Sequence, residues 1–492
     1  MIKTLKKEIK KVATDVVVVG GGTAGFAAAI AAGRNGAKVI LIEQHDYLGG
    51  TLSGGMVNMI RSMRHMQGPS DANDKKLKIA AYESSYVDQQ LVYSIAQEFV
   101  DRMIDAGSAW GIRGQAAARQ FFDPEMAKVV IEKMLVEAGV DVWFYSQTTD
   151  VLKSGKSVDG IVVENLEERI EIAAKVTIDA TGNGDVCANA GASFELGNPD
   201  DGHCQPLTLY FTIGNIDFDR TLKYMQEAAN DIGRDYVDKI AKLKEEGKPL
   251  TLIPFKAKIR EALEKGEYPI PYNAEKVVLE TLTYMIRPQF KNGKMRYNIV
   301  SANLDMAYNV DATDRKQLTK ATIAMRDIAV RMAAFYRKYI PGFEDSYLGY
   351  TAPFVGIRDT RRIIGDYFLS SEDVLSGKAF EDGIGRYGSV VDVHDKNAGK
   401  KEIMLLEVGG KGWFHVPYRI MLPKGLDNIL VAGRCVSADH IAQGCTRSQA
   451  ACILTGQAAG TAATLAIKSG VKPREVSISE LQKVLIQQNQ II

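Results

Sequence analysis

The feature that most constrains the fold is an apolar run, Val16–Val19, that leads directly into a glycine turn near the start of the chain. Gly20, Gly22 and Gly25 satisfy the pattern G-x-G-x-x-G, which joins a strand to a helix in dinucleotide-binding folds. Gly20 allows the tight turn, Gly22 lets the backbone approach a pyrophosphate, and Gly25 lets the helix lie close to the sheet. The sequence therefore predicts a parallel α/β fold that binds a dinucleotide.

The residues after the turn support this prediction. An alanine-rich helix is expected from Gly25 to Asn35, and Thr23 and Ala24 lie at its start, where unpaired N–H groups and the helix dipole favour a phosphate. The next expected strand, from Lys38 to Ile42, ends at Glu43, whose carboxylate is placed to accept hydrogen bonds from ribose hydroxyls. A 2′-phosphate would be repelled by this carboxylate.

Two further glycine turns follow along the chain. Gly49, Gly50 and Thr51 lie just beyond Glu43, where a second turn can pass beside the same pyrophosphate. A later strand ends at Ala180 and Gly182, which we expect near the adenosine half of the ligand. Before it, the pattern predicts a small meander of strands, over Asp141 to Ser146, Thr149 to Leu152, Gly160 to Glu164 and Arg169 to Ala173.

The C-terminal region contains a second candidate for the same site. The segment from Gly425 to Arg434 reads as a strand with a glycine exit at Gly433, and Gly444 follows. Thr446-Arg447-Ser448-Gln449 has the form of a capping box, in which Thr446 caps a helix that runs to about Ser469. Gly456 and Gly460 inside that helix predict close packing, against the helix that follows Gly25.

With these motifs in place, the chain resembles the FAD-dependent oxidoreductase family of the glutathione-reductase-like flavoprotein superfamily. The resemblance rests on the opening fingerprint, on Leu48–Thr51, on Asp179–Asp185, on Gly356–Gly365 and on Leu422–Gly460. It extends nearly from end to end, and is weakest from about Arg61 to Gln120 and from Asp217 to Glu280.

The resemblance implies FAD as the cofactor, with Glu43 on the adenosine ribose and Gly433 and Arg434 near the ribityl and pyrophosphate portion. It also implies that the helix expected from Thr446 to about Ser469 points its N-terminus at the flavin ring, where the positive end of its dipole stabilises the reduced flavin. The implied fold is a discontinuous Rossmann-type FAD-binding domain, residues 1–203 and 420–492, with an inserted α+β substrate or cap domain, residues 204–419.

Four side chains are candidates for substrate chemistry. Arg358, close to Arg361 and Arg362, can fix a carboxylate, a carbonyl or the polar edge of the flavin itself, although for each arginine singly a structural ion pair is the simpler role. His440 falls in the stretch expected to cross the flavin, which makes it the first candidate for proton transfer. His394 has two nearby carboxylates, Asp392 and Asp395. Tyr418, just before the returning strand, is expected to face the ring.

Composition narrows the function classes. The 61 basic and 60 acidic residues nearly cancel, which argues against nucleic acid or an anionic membrane as partner and leaves a small-molecule substrate. The five cysteines form no C-x-x-C pair, so we expect a reducing, cytoplasmic setting and no redox dithiol. Neither a metal site nor a membrane span is predicted. The composition is compatible with a homo-oligomer, and it does not identify the electron acceptor.

Two functions follow from these observations. The first is an FAD-dependent oxidoreductase that transfers a hydride between flavin N5 and a small organic substrate. The alternative is a flavin-carrying electron-transfer subunit of a larger redox complex, in which no small substrate is turned over. The sequence contains no second G-x-G-x-x-G, which disfavours direct pyridine-nucleotide disulfide reductase chemistry.

Overall fold

A computed structural model describes residues 9–64, 89–166, 168–252, 255–274, 285–394 and 403–492. Asp395, one of the two carboxylates expected beside His394, lies outside these residues. Within them the strands are β1 (Ile9–Val19), β2 (Val39–Ile42), β3 (Met59–Arg61), β4 (Arg119–Phe121), β5 (Asp141–Trp143), β6 (Gln147–Ser154), β7 (Ser157–Glu164), β8 (Arg169–Asp179), β9 (Phe194–Leu196), β10 (Phe211–Gly214), β11 (Met285–Lys291), β12 (Lys294–Asn303), β13 (Tyr347–Thr351), β14 (Arg361–Ile363), β15 (Gly383–Tyr387), β16 (Val391–His394), β17 (Ile403–Leu406), β18 (Phe414–Pro417) and β19 (Ile429–Val431).

The helices in the described part of the chain connect these strands and pack on them. They are α1 (Thr23–Arg34), α2 (Ile95–Asp105), α3 (Pro124–Glu137), α4 (Asp185–Asn189), α5 (Phe218–Glu227), α6 (Ala229–Ile232), α7 (Arg234–Glu245), α8 (Lys256–Glu264), α9 (Arg315–Tyr339), α10 (Ser371–Leu375), α11 (His440–Thr446), α12 (Gln449–Ser469) and α13 (Ile478–Gln487).

The predicted α/β fold is confirmed by a seven-stranded sheet. Its parallel part has the order β5-β2-β1-β8-β19, so the first and the last strand of the chain both lie in it, on either side of β8. Strands β6 and β7 extend the sheet as an antiparallel hairpin on the first half of β8. The predicted meander differs from this arrangement in two respects: β5 joins the parallel strands, and β8 is continuous through the two segments predicted as separate strands.

Helices α1 and α12 pack directly against each other over the sheet, as their small residues predict. A Cβ atom added at Gly456 would lie 2.1 Å from the carbonyl oxygen of Ala24, and one added at Gly460 would lie 2.1 Å from that of Ala28. Helix α12 is also long and apolar enough to cross a membrane by length and composition, but 89% of its most apolar window is buried inside the fold. The apolar composition of α12 is therefore that of a helix in the protein core.

A second layer of structure contains its own apolar cluster. An antiparallel sheet of order β11-β12-β10-β13 packs against helices that include α9, and the apolar cluster there includes Leu207, Phe211, Met332 and Val355. We call this part the cap. Buried apolar side chains of the described residues between Leu369 and Tyr418, such as Phe380, Tyr387 and Phe414, belong instead to the cluster around α1 and α12. The bounds of the inserted domain, 204–419, stay a prediction.

Candidate functional site

One cavity of about 650 Å³ lies between the carboxyl ends of the parallel strands and the cap. Its walls include the residues of the glycine fingerprint, the end of β8, the segment before α12 and the cap side chains Thr208, Tyr210, Arg287 and Asn303. Gly22, near the head of the chain, and Gly444, near its tail, both line it. The two motifs predicted to share one ligand therefore do face one continuous space.

The fingerprint turn owes its shape to glycine at two positions. Gly20 has φ +95°, and a Cβ atom there would lie 2.6 Å from the carbonyl oxygen of Ala180. A Cβ atom at Gly25 would lie 1.7 Å from the carbonyl oxygen of Gly20. No side chain caps the start of α1, and Gly22, Thr23 and Ala24 line the cavity. An uncapped helix start with this exposure fits a phosphate group.

Glu43 supports the turn as well as the cavity. One carboxylate oxygen accepts a hydrogen bond from the Gly21 N–H at 2.7 Å, and the other accepts one from the His45 N–H at 3.0 Å. The side chain is buried and lines the cavity. Because each carboxylate oxygen has two acceptor positions, Glu43 can hold the turn and still accept from a ribose hydroxyl.

The second glycine turn lies beside the first. The Gly49 N–H donates to the carbonyl oxygen of Gly21 at 2.8 Å, and the Thr23 hydroxyl donates to the carbonyl oxygen of Gly49 at 3.2 Å. Gly50 is so close that a Cβ atom there would lie 2.9 Å from the Cα atom of Gly22. The two turns thus form one backbone surface, as predicted.

Arg434 ties the end of β8 to the cap. Its guanidinium donates to the carbonyl oxygens of Gly182 and Ile357, each at 2.7 Å, and to the Asn183 side chain at 2.7 Å. Burial lowers the pKa of Arg434, although nearby acidic groups oppose this effect. The residue therefore lines the cavity through a fixed side chain that joins three segments.

The helix boundary near Thr446 differs from the prediction. Asp439 caps α11, since its carboxylate accepts from the Ala442 N–H at 2.6 Å, and Thr446 closes that helix instead of starting the next one. Ser448 precedes α12 without a side-chain cap, and the Gln449 side chain donates to the carbonyl oxygen of Val57 at 3.2 Å. The predicted capping box is therefore wrong, but the uncapped start of α12 does face the cavity.

Most of the predicted cofactor residues are brought together. The cavity is lined by Gly20, Gly22, Thr23, Ala24, Glu43, Gly50, Thr51, Ala180, Gly182, Gly433, Arg434, Gly444 and Ser448. Gly25, Gly49 and Thr446 are not on its wall; the first two shape the turns from behind. The role of each residue in binding stays a prediction.

The four catalytic candidates divide into two pairs. Arg358 and His394 line the cavity, whereas Tyr418 and His440 do not. Tyr418 is fully buried in the core, where its hydroxyl donates to the carbonyl oxygen of Pro473 at 2.8 Å. His440, at the start of α11, lies with Nδ1 3.2 Å from a carboxylate oxygen of Asp359, a buried residue that also pairs with Arg362. The His440 imidazole thus lies beside Asp359 and off the cavity wall, and its role in proton transfer stays a prediction.

His394 lies between two carboxylates. Its Nδ1 is 2.7 Å from Asp305 and its Nε2 is 3.0 Å from Asp392, and it is 6% exposed. Burial lowers the pKa of His394, but the negative charges of Asp305 and Asp392 outweigh burial and hold it above the ordinary value, against the opposing charge of Arg358. The imidazolium form is therefore favoured on the cavity wall.

Three arginines surround this histidine. Arg358 pairs with Asp305 at 2.8 Å, Arg61 pairs with Asp392 at 2.9 Å, and Arg447 donates to the backbone carbonyl of Asp392 at 2.5 Å. All three line the cavity. Sequence reasoning did not assign Arg61, Arg447 or Asp305, and only Arg447 carried a signal, as a charged residue directly before a long apolar helix.

FAD fits these walls. The glycine turns and the uncapped start of α1 suit its pyrophosphate, and Glu43 suits the ribose. At the other end, the Gln449 Oε1 atom is buried with no hydrogen-bond partner among the described residues. An N–H donor at the polar edge of a flavin would satisfy that acceptor.

Two proteins of known name are similar to part of this chain in sequence. The chain is 28% identical over 171 residues to a digeranylgeranylglycerophospholipid reductase of Picrophilus torridus, a match over 34% of this chain and 39% of that protein. It is 29% identical over 188 residues to a fumarate reductase (cytochrome) of Shewanella frigidimarina, over 34% of this chain and 33% of that protein. The matches thus span about two fifths or less of these relatives' length.

Among solved structures, a geranylgeranyl bacteriochlorophyll reductase-like protein of Thermoplasma acidophilum aligns with 98% of this chain and 84% of its own, at a TM-score of 0.43 and 14% identity. A p-nitrophenol 4-monooxygenase of Pseudomonas putida aligns with 97% and 87%, at a TM-score of 0.45 and 10% identity. The sequence profile of the FAD dependent oxidoreductase family matches residues 15–485. The chain therefore belongs to the FAD dependent oxidoreductase family.

Proposed function

We propose that this oxidoreductase transfers a hydride between FAD and a small organic substrate held under the cap, and that His394 carries the proton of that reaction. The observation that supports the proposal most directly is the position of His394 between Asp305 and Asp392 on the wall of the cofactor cavity. Bound FAD supplies the two-electron redox chemistry.

The residues around His394 set its protonation state. The charges of Asp305 and Asp392 favour the imidazolium, which can give a proton to a substrate that is being reduced. In the reverse direction the neutral imidazole accepts the proton. The raised pKa of His394 suits it to give a proton in the reductive direction and to take one back in the reverse direction.

The cap supplies the enclosure that such a reaction needs. Thr208 and Tyr210 line the cavity from the segment before β10, Asn303 from the end of β12, and Leu318 from α9. Walls of mixed polar and apolar character are typical of small-molecule sites. They also limit the access of water to the reacting groups.

The test uses the purified holoenzyme under anaerobic conditions. Its flavin is reduced by light, candidate substrates are added one at a time, and flavin reoxidation is followed by absorbance. We expect His394→Gln to keep its flavin and to slow reoxidation by the best substrate by about a hundredfold, the usual scale of general acid catalysis. His415→Gln, which removes an imidazole away from the cavity, is the matched control.

Three outcomes would contradict the proposal. A protein that takes up no FAD would remove its basis. A loss of rate in His440→Gln but not in His394→Gln would move proton transfer to the other candidate. Reoxidation by one-electron acceptors alone, with no response to any small substrate, would favour the electron-transfer subunit.

A further inference from the structure

The group around His394 carries an excess of positive charge. We call it the arginine cluster and define it as Arg61, Arg358, Arg447, His394, Asp305 and Asp392. Three arginines face two aspartates, so the cluster has a net charge of about +1 with a neutral His394 and about +2 with the imidazolium. Asp359 also acts on Arg447, but it is paired with Arg362 at 3.1 Å.

This excess charge lies in a desolvated setting. Asp305 and His394 are buried, and the Arg358 side chain is only 12% exposed. Burial lowers the pKa of Arg447 to about 10; the charge of Asp392 opposes this shift, and the like charges of Arg358 and Arg61 add to it. Buried charge of one sign is costly unless a counter-charge is present.

Arg447 has a hydrogen-bond donor to spare. Its Nη2 donates to the backbone carbonyl of Asp392 and lies 3.4 Å from the Gln205 side-chain oxygen, whereas its Nε is buried with no hydrogen-bond partner among the described residues. Arg61 contacts the same residue through the Asp392 carboxylate. Two guanidinium groups therefore converge on one point of the cavity wall, beside His394.

From this geometry we infer that the substrate carries a carboxylate, which Arg61 and Arg447 bind beside His394. A planar guanidinium matches a carboxylate through two parallel hydrogen bonds, and a single negative charge lowers the net charge of the cluster from about +2 to about +1 while His394 is an imidazolium. This inference rests on the proposed function and adds the substrate class. Arg61 and Arg447 act as binding residues, and they fix the substrate next to the proton carried by His394.

The experiment measures ligand binding to the FAD-loaded protein without turnover. Propionate, benzoate and succinate are titrated against the absorbance spectrum of the bound flavin and by calorimetry, and propionamide, benzamide and succinamide serve as neutral partners of the same shape. We expect the carboxylates to perturb the spectrum and the amides to bind at least about tenfold more weakly. Inorganic phosphate is the third arm, and we expect it to bind more weakly than the carboxylates.

The variants assign the binding to the two arginines. Arg447→Gln and Arg61→Gln should each weaken carboxylate binding by about tenfold or more and leave amide binding unchanged. Arg419→Gln is the matched control, because this half-exposed arginine pairs with Asp382 away from the cavity. FAD content is measured in every sample, so that a lost cofactor is not read as a lost substrate site.

The inference fails if amides bind as well as carboxylates, if phosphate binds more tightly, or if both arginine variants keep full carboxylate affinity. It also fails if the variants change only the flavin reduction potential, since the arginines would then serve the cofactor. A wild-type protein without flavin overturns the proposed function, whereas a flavoprotein that is indifferent to ligand charge overturns this inference alone.

Discussion

Glu43 both supports the glycine turn and lines the cavity where the ribose of FAD is expected. Its carboxylate accepts from the backbone of the glycine turn and faces the space for the ribose. Glu43→Gln removes the charge and one acceptor oxygen while it keeps the size of the side chain. We expect FAD binding to weaken by about 1–2 kcal/mol, the difference between charged and neutral hydrogen bonds, in a fluorescence titration with free FAD.

The control for this change is Glu264→Gln, at an exposed position that ends α8. It should leave FAD affinity within the error of the titration. An unchanged affinity in Glu43→Gln would show that the carboxylate does not bind the ribose of FAD.

At this same scale the sequence predicted some residues and could not predict others. Glu43 was found because the end of the second strand is a fixed position in the dinucleotide fold. Asp305 and Arg61 come from segments with no local pattern; the folded chain brings Asp305 to His394 and Arg61 to Asp392. His440 satisfied the local expectation, but its pairing with Asp359 depends on a residue distant in the chain.

Between elements, the contact of α1 with α12 decides how the two ends of the chain meet. Gly460→Ala would favour the helix by about 1 kcal/mol on propensity alone. The added Cβ atom would, however, overlap the carbonyl oxygen of Ala28 and push the helices apart. We expect a net loss of about 1–3 kcal/mol in the free energy of unfolding, measured by denaturant titration.

Ser469→Ala, at the exposed end of the same helix, provides the comparison and should change stability by less than about 0.5 kcal/mol. A Gly460→Ala variant that is more stable than the wild type would contradict the close contact between the helices.

Helix boundaries show the limit of local patterns. Thr446 and Gln449 fit a capping box, yet Asp439 caps the preceding helix and places Thr446 at its end. The sequence rules allow a cap at Asp439 and a cap at Thr446. The structure has the cap at Asp439, and α11 then packs on β16 so closely that a Cβ atom at Gly444 would lie 2.6 Å from the Val393 side chain. The parallel strands themselves were predicted better, because the apolar runs and glycine exits of β1, β8 and β19 each indicate a buried strand of this kind.

For the whole molecule, the ion pairs of His394 connect the two apolar clusters. Asp305 lies between cap-cluster residues Leu304 and Met306, whereas His394 ends β16, whose Val391 and Val393 belong to the cluster around α1. Because the pKa of His394 is raised in the folded protein, its contribution to stability is full below the unfolded value and is lost as pH rises through the folded value.

We therefore expect the wild type to lose more stability than His394→Gln when pH is raised from about 6 to about 9. Denaturant titrations of both proteins at each pH measure this difference. His415, whose pKa is lowered by burial, has the opposite sign, but it is present in both proteins and cancels. Equal pH dependence in the two proteins would contradict a cationic His394.

We expect one molecule of FAD to contact both the N-terminal glycine turns and the segment before α12. Hydrogen exchange can test it, because ADP contains the adenosine and pyrophosphate of FAD but not its ring. We expect ADP to protect the backbone around Gly20–Gly25 and Glu43–Thr51, and FAD to protect these segments and also Gly444–Cys452, whose wall residues lie at the start of α12. At a free FAD concentration of about 100 times its Kd, binding stabilises the folded state by about 2.7 kcal/mol. Saturating ADP should protect only the backbone around Gly20–Gly25 and Glu43–Thr51. Equal protection of both ends by ADP, or no protection of Gly444–Cys452 by FAD, would mean that the two motifs do not share the cofactor.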